Sequence, residues 1–219
     1  MADLDRRALL RAARLYLVCD ARPGGHEPGA FLAAALRGGV DVVQLRDKGL
    51  GDDALLAAAR AFRAACDAAG ALFVLNDRPD LVAAAGADGV HVGQDDMPVA
   101  DARALVGADR IVGLSTHTPE QVAAGAGADY IGVGPVHATP TKPGRPAVGT
   151  ALIGHAARHA AVPWFAIGGI GRDTLDPVLS AGARRVAVVR ALTGASDPEA
   201  EARALREALA HAGARADAA

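Results

Sequence analysis

The sequence predicts an α/β fold, a (β/α)8 TIM barrel with an extra N-terminal helix, from three observations. First, a short segment recurs at 38–45, 85–92, 126–133 and 181–188, each time passing from Gly through small residues into an apolar run. Its aligned glycines, Gly39, Gly86, Gly127 and Gly182, are 47, 41 and 55 residues apart. A strand–helix unit with its loops takes roughly half of such a step, so each step spans two units. Second, four further apolar runs, 15–19, 72–75, 110–114 and 164–167, fall between the repeats and complete a set of eight. Third, all eight are short and continuous rather than alternating, the pattern of strands buried on both faces of a parallel sheet. An open doubly wound sheet is the competing arrangement. It is disfavoured because no Gly-rich dinucleotide loop follows the first strand.

In chain order, residues 1–14 predict a helix covering the bottom of the barrel, and 15–19 the first strand. Ala-rich stretches at 28–37, 51–69, 79–85, 98–106, 118–125, 149–160, 171–181 and 197–212 predict the helices between and after the strands. The repeat glycine ends the preceding helix in the left-handed conformation. From Gly213 the tail reads as frayed. The whole of 1–219 reads as one domain.

Composition narrows the function. The formal net charge of −2 gives no electrostatic footprint for nucleic acid. No run of 18 apolar residues predicts a membrane span, and the N-terminus lacks the order of a signal peptide. The two cysteines, Cys19 and Cys66, have no metal or redox spacing. These features predict a cytoplasmic protein in a reducing compartment that acts on small molecules. A homo-oligomer is left open.

Barrel active sites lie at the C-terminal ends of the strands, and the polar residues there form a set. Strand 2 ends in Gln44-Leu45-Arg46-Asp47-Lys48, strand 3 in Asn76-Asp77-Arg78, strand 4 in Gly93-Gln94-Asp95-Asp96 and strand 5 in Ser115-Thr116-His117. Strand 6 leads into Thr139-Pro140-Thr141-Lys142, strand 7 into Gly168-Gly169, and strand 8 ends near Val189-Arg190. Asp77 and Asp96 follow adjacent strands and can share a hard cation such as Mg2+; each could instead cap the helix that follows, and Asp95 competes with Asp96. Arg46, Lys48 and Lys142 add cations that suit a pyrophosphate. Alternatively, Arg46 and Asp47 form a structural pair and Lys48 is solvated, or a buried Lys forms a Schiff base. The Thr139–Lys142 loop offers hydroxyls and charge to an anion. Gly168-Gly169 lets backbone N–H groups approach a phosphate, or makes a tight turn. His91, His117 and His137 could form a three-His metal site, but none of the usual short spacings supports it, so hydrogen-bonding or core roles are expected. Cys19 ends strand 1 and is expected to line the pocket; Cys66 reads as core.

These residues resemble thiamine-phosphate synthases. The resemblance runs from about 15 to 192 and rests on Val43-Gln44-Leu45-Arg46-Asp47-Lys48, Asn76-Asp77-Arg78, Gly89-Val90-His91-Val92-Gly93-Gln94-Asp95-Asp96, Gly134-Pro135-Val136 with Ala138-Thr139-Pro140-Thr141-Lys142, and Ala166-Ile167-Gly168-Gly169-Ile170. It implies that a hydroxymethylpyrimidine pyrophosphate is joined to a thiazole phosphate with release of pyrophosphate. Gln44, Arg46, Lys48, Asn76, Ser115 and Lys142 would hold the pyrimidine pyrophosphate, and Asp77 and Asp96 would hold Mg2+. Thr139, Thr141, Gly169 and the backbone at Val189 and Arg190 would hold the thiazole phosphate. Two positions depart from the family: Arg190 stands where Ser is frequent, and Cys19 where Thr is common. A thiazole tautomerase would not need the Arg46/Lys48 pair together with both carboxylates. A non-catalytic phosphate-ligand sensor would not turn substrate over.

Overall fold

The computed structural model describes residues 5–138 and 146–217. The eight apolar runs become β1 (Leu15–Cys19), β2 (Val42–Leu45), β3 (Leu72–Asn76), β4 (Gly89–Val92), β5 (Ile111–Thr116), β6 (Tyr130–Val133), β7 (Trp164–Ile167) and β8 (Val186–Val188). They pair in parallel in chain order and β8 closes back on β1, giving the expected closed barrel. Helices α1 (Arg6–Ala12), α2 (Pro28–Arg37), α3 (Asp52–Ala69), α4 (Val99–Val106), α5 (Pro119–Ala124), α6 (Gly149–His159), α7 (Arg172–Ser180), α8 (Arg190–Thr193) and α9 (Pro198–Asp217) pack outside or across its ends. No helix among the described residues is long and apolar enough to cross a membrane.

The runs are continuous because each face of the sheet has its own core. Successive strand residues point to opposite faces. Leu15, Leu17 and Cys19 of β1 therefore join Val43, Leu45, Phe73 and Leu75 in the layer under the helices. Tyr16 and Val18 point inward, with Val42, Leu72, Val74, Ile111, Tyr130, Phe165 and Ala187. Leu10 and Ala13, in and just after α1, belong to the same inner cluster, so the extra helix closes the bottom of the barrel. Asp5 starts α1, its carboxylate accepting from Ala8 N–H at 2.8 Å.

The aspartate of the repeat secures that bottom end. Asp88 accepts from Phe73 N–H (2.9 Å), Arg63 (2.7 Å) and Arg6 (2.9 Å). Asp129 accepts from Val112 N–H, Arg7 and Arg103, and Asp41 from the N–H groups of Arg14 and Leu15 and from Arg206. Each carboxylate thus ties the start of a strand to arginines on the surrounding helices. In the fourth copy Arg184 stands instead, its guanidinium on the carbonyls of Leu179 and Ala183.

Several boundaries differ from expectation. The stretch 79–85 is not an α-helix: only Pro79–Leu81 forms a 3-10 turn. The turn opened by Pro79 does not propagate, and a single turn is a costly nucleus that helix propensity alone does not stabilise. Gly39, Gly86 and Gly182 have positive φ as expected, but Gly127 does not; its helix finishes in the 3-10 turn Gly125–Gly127. A short helix not expected from the sequence, α8, follows β8, and α9 runs through Gly213 to Asp217.

Candidate active site

Polar inward side chains other than the two tyrosines gather toward the C-terminal end of the barrel, and this builds the site. Gln44, Asn76, His91, Ser115 and Gly132 occupy neighbouring strands, with Asn76 paired to His91 and Ser115 to Gly132 in register. They line a cavity of about 80 Å3 together with Tyr16, Tyr130, Arg46, Lys48, Asp77 and Asp96. Gln44, Arg46, Lys48, Asn76, Asp77, Asp96 and Ser115 therefore meet in one place.

The two carboxylates do not cap helices. Asp77 sits just past β3 at φ +59°, the chain's non-glycine positive-φ residue among those described. Asp tolerates this region better than most residues. Its N–H donates to the His91 carbonyl at 2.8 Å, and its Oδ2 meets Lys48 Nζ at 2.7 Å. The short turn after it is capped by Arg78 backbone, and α4 by Pro98. Asp96 Oδ2 instead accepts from Gly93 N–H at 2.8 Å, folding the β4 loop back on itself. Asp95 is absent from the cavity lining. Two hard oxygen donors lining one cavity, short of a full cage, are of the kind used by a Mg2+ that completes its shell with phosphate oxygens and water. The residues present fit that ion.

The cations are arranged for an anion. Asp47 accepts from the N–H groups of Ala21 and Gly49 rather than pairing with Arg46, so the alternative of a structural Arg46–Asp47 pair gives way to a loop-shaping role for Asp47. Lys48 is about half exposed and ion-paired, neither simply solvated nor a buried Schiff-base amine. Thr139, Thr141 and Lys142 lie outside the described residues.

A second, larger cavity of about 720 Å3 opens beside the first. Gly168, Gly169, Gly171, Thr174, Val189 and Arg190 line it, with His117 and Glu201. Ile167, Ala187 and Val189 face both cavities, so the two share a wall. Gly168 and Gly169 have φ +112° and +63°. A Cβ on Gly168 would sit 2.5 Å from Pro135 Cα, and one on Gly169 2.8 Å from His137 Cβ. The turn itself thus demands both glycines, and the same turn opens the cavity. Thr174 holds its shape: its hydroxyl donates to the Gly169 carbonyl (2.9 Å) and accepts from Gly171 N–H (3.0 Å). Val189 precedes α8 and Arg190 is its first residue, exposed at the rim.

The three histidines do not form a metal centre; among the described residues no group of three or more metal-binding side chains occurs. His91 contacts Tyr130 and Ser115, and His117 Nδ1 contacts the Gly134 carbonyl. Cys19 does not line the pocket. It points to the helix side, is 2% exposed, and burial pushes its thiol well above the usual range. Sequence reading missed Tyr16, Tyr130 and Thr174, and it placed Gln94 at the rim without a role. Tyr16 and Tyr130 carried one signal: they are the two tyrosines of the chain, both in inward strand positions. Gln94 donates to the Ser115 carbonyl at 2.7 Å and holds the end of β5.

Comparison with known proteins agrees with this geometry. Residues 15–192 match the thiamine monophosphate synthase family. The thiamine-phosphate synthase of Thermobifida fusca is 52% identical over 216 residues, covering 97% of this chain and 99% of that protein. That of Saccharopolyspora erythraea is 52% identical over 213 residues, covering 93% and 96%. The solved thiamine phosphate pyrophosphorylase of Pyrococcus furiosus superposes with a TM-score of 0.83 at 30% identity, over 93% of this chain and 98% of that one. A barrel with this rim, matched over nearly all its length, belongs to the thiamine monophosphate synthase family.

Proposed function

We propose that this chain joins 4-amino-2-methyl-5-(diphosphooxymethyl)pyrimidine to 4-methyl-5-(2-phosphooxyethyl)thiazole, forming thiamine phosphate and pyrophosphate. The observation that carries this reading is the pair of cavities sharing Ile167, Ala187 and Val189 as a wall. One holds cations and carboxylates suited to a pyrophosphate; the other has the diglycine turn and helix start suited to a monophosphate. Two anionic substrates bound there bring their rings together at the shared wall.

The residues divide the work. Arg46 and Lys48, with Lys142 from the loop outside the described residues, neutralise the pyrophosphate. Gln44, Asn76 and Ser115 place the pyrimidine and its first phosphate. Asp77 and Asp96 would hold Mg2+, which when bound supplies further charge neutralisation to the departing oxygens. Gly168, Gly169 and the backbone at Val189 and Arg190, with Thr139 and Thr141, hold the thiazole phosphate. The thiazole nitrogen already carries a lone pair, so no general base is required. The aminopyrimidine is electron-rich and stabilises a cation at its methylene, which favours departure of pyrophosphate before nitrogen attack. The protein aligns the rings and stabilises the leaving group.

Incubating both phosphorylated substrates with and without Mg2+ tests the reading. Metal-dependent formation of thiamine phosphate and pyrophosphate supports it. Isomerisation of a thiazole alone, or binding of both ligands without turnover, refutes it.

A further inference from the structure

We infer that a one-way chain of hydrogen bonds, Gln44–Tyr16–Tyr130–His91–Ser115, fixes Ser115 as a hydrogen-bond donor toward the cavity and makes Tyr16, Tyr130 and His91 positioning residues for it. The chain links five strands. Gln44 Nε2 lies 2.7 Å from Tyr16 Oη, and Tyr16 Oη 2.9 Å from Tyr130 Oη. Tyr130 Oη lies 3.0 Å from His91 Nδ1, and His91 Nε2 2.9 Å from Ser115 Oγ. Gln44, Tyr16, Tyr130 and Ser115 are all buried.

Its direction follows from what each group can do. An amide nitrogen only donates. Tyr16 oxygen therefore accepts from Gln44, and its own hydrogen goes to the phenol oxygen of Tyr130. Tyr130 then donates to His91 Nδ1. That nitrogen must be the bare one, so the imidazole proton sits on Nε2 and is given to Ser115 Oγ. Ser115 has accepted, and its own hydrogen is left to point at a ligand. The opposite direction would need Tyr16 to accept from both Gln44 and Tyr130, leaving a buried hydroxyl hydrogen without an acceptor. Buried polar hydrogens are rarely left so. Burial also pushes both tyrosine hydroxyls well above their ordinary range, which keeps them protonated and able to relay this orientation.

The consequence rests on the reaction proposed above. Ser115 shares the cavity with Arg46 and Lys48, where a pyrophosphate oxygen is the expected acceptor. A serine forced to donate stabilises that oxygen as it departs. A serine free to rotate would in part of its population present a lone pair to it. Tyr16, Tyr130 and His91, which line the same cavity, thus set the polarity of one further contact through Ser115.

Nitrogen-15 NMR of histidine-labelled native protein without ligand tests the polarity directly. The His91 signals, assigned by their loss in His91→Gln, should show a protonated Nε2 and a bare Nδ1. A protonated Nδ1 overturns the inference. A second arm uses activity. In His91→Gln the amide nitrogen takes the place of Nε2 and can still donate to Ser115; in His91→Asn it takes the place of Nδ1 and cannot. His91→Asn should lose roughly tenfold or more in kcat relative to His91→Gln, with the KM for the thiazole phosphate unchanged in both. Equal losses overturn the inference. If the wild-type protein shows the expected tautomer yet forms no thiamine phosphate, the reaction assignment fails and the polarity stands. In an active wild type with the opposite tautomer, the reaction assignment stands and the polarity fails.

Discussion

Lys48 Nζ lies 2.7 Å from Asp77 Oδ2, so a cation following β2 and a carboxylate following β3 neutralise one another at the mouth of the smaller cavity. Lys48 is 58% exposed there, and such a pair holds only about 0–1 kcal/mol. It opens at little cost. An arriving pyrophosphate can take the ammonium while the carboxylate turns to a cation. Asp77→Ala and Asp96→Ala should each lower kcat by roughly 100-fold or more, the usual effect of removing charge stabilisation at a developing oxyanion, and weaken the dependence on Mg2+. Steady-state rates across a Mg2+ titration check this; full activity of Asp77→Ala without excess metal contradicts it.

The positive φ of Asp77 allows its chemical and conformational roles to be separated. Asp77→Gly relieves the left-handed backbone and should melt no lower than wild type while losing activity. Asp77→Val should lose activity and also stability, by about 1–2 kcal/mol for a branched residue held left-handed. Thermal melts beside kinetic assays distinguish the two. Equal melting of both variants would mean that the local backbone relaxes freely.

Gly169 stands at φ +63° with His137 Cβ 2.8 Å from where its own Cβ would be. Gly169→Val should therefore raise the KM for the thiazole phosphate more than that for the pyrimidine pyrophosphate, because the turn borders the larger cavity alone. An equal rise for both substrates in a folded protein would move the thiazole phosphate elsewhere.

How much of this was legible in the sequence depended on distance along the chain. The barrel was, because its repeat marks every second strand–helix unit and all eight strands are short, largely apolar runs. The rim position of Arg46, Lys48, Asp77 and Asp96 was, because charge following an apolar run stands out, and that of Gln44 was, because it is a polar break inside such a run. The Tyr16–Tyr130 contact was not: its partners are 114 residues apart, and each phenol hides in an apolar strand. Asp41, Asp88 and Asp129 were visible as a repeat, but only the closed barrel shows their carboxylates gathering arginines from distant helices. The side of the strand to which Cys19 points was misjudged because its last residue could face either layer until the register was known.

The repeat aspartates carry stability rather than chemistry. Asp88 is 2% exposed and holds Arg63, Arg6 and the Phe73 N–H at the end of the barrel away from the site. Asp88→Ala should destabilise by about 3–5 kcal/mol, as expected when one partner of a buried pair is removed, and leave both KM values unchanged at a temperature where the variant is folded. Denaturant unfolding measures the first and kinetics the second.

Stability should also fall in alkali. Burial raises the Cys66 thiol from 9.0 to about 12, and that of Cys19 well upward. Below pH 9 these thiols are protonated in both folded and unfolded chains, so they add no pH dependence. Above it the unfolded chain releases protons that the folded chain retains, and stability drops by about 1.4 kcal/mol per pH unit for each thiol until the folded value is reached. Unfolding midpoints between pH 8 and 10 should show this slope, reduced by one thiol's share in Cys66→Ala. A flat profile would show that the thiols reach solvent.

The order of bond breaking leaves its own signature. Nothing among the described rim residues is placed as an activated nucleophile, and the two rings are brought to a shared wall rather than to a base. If pyrophosphate departs first, positive charge builds on the pyrimidine methylene before the thiazole nitrogen bonds to it. Electron-withdrawing substituents on the pyrimidine then destabilise the transition state, and each 1.4 kcal/mol of that destabilisation slows the step about tenfold. Direct displacement places little charge on that carbon, and the same substituents would leave the rate unchanged or raise it. Single-turnover rates with substituted pyrimidine pyrophosphates, measured at saturating thiazole phosphate, separate the two. A steep fall supports early departure of pyrophosphate, with Lys142 acting through its charge; level or rising rates would establish displacement in its place.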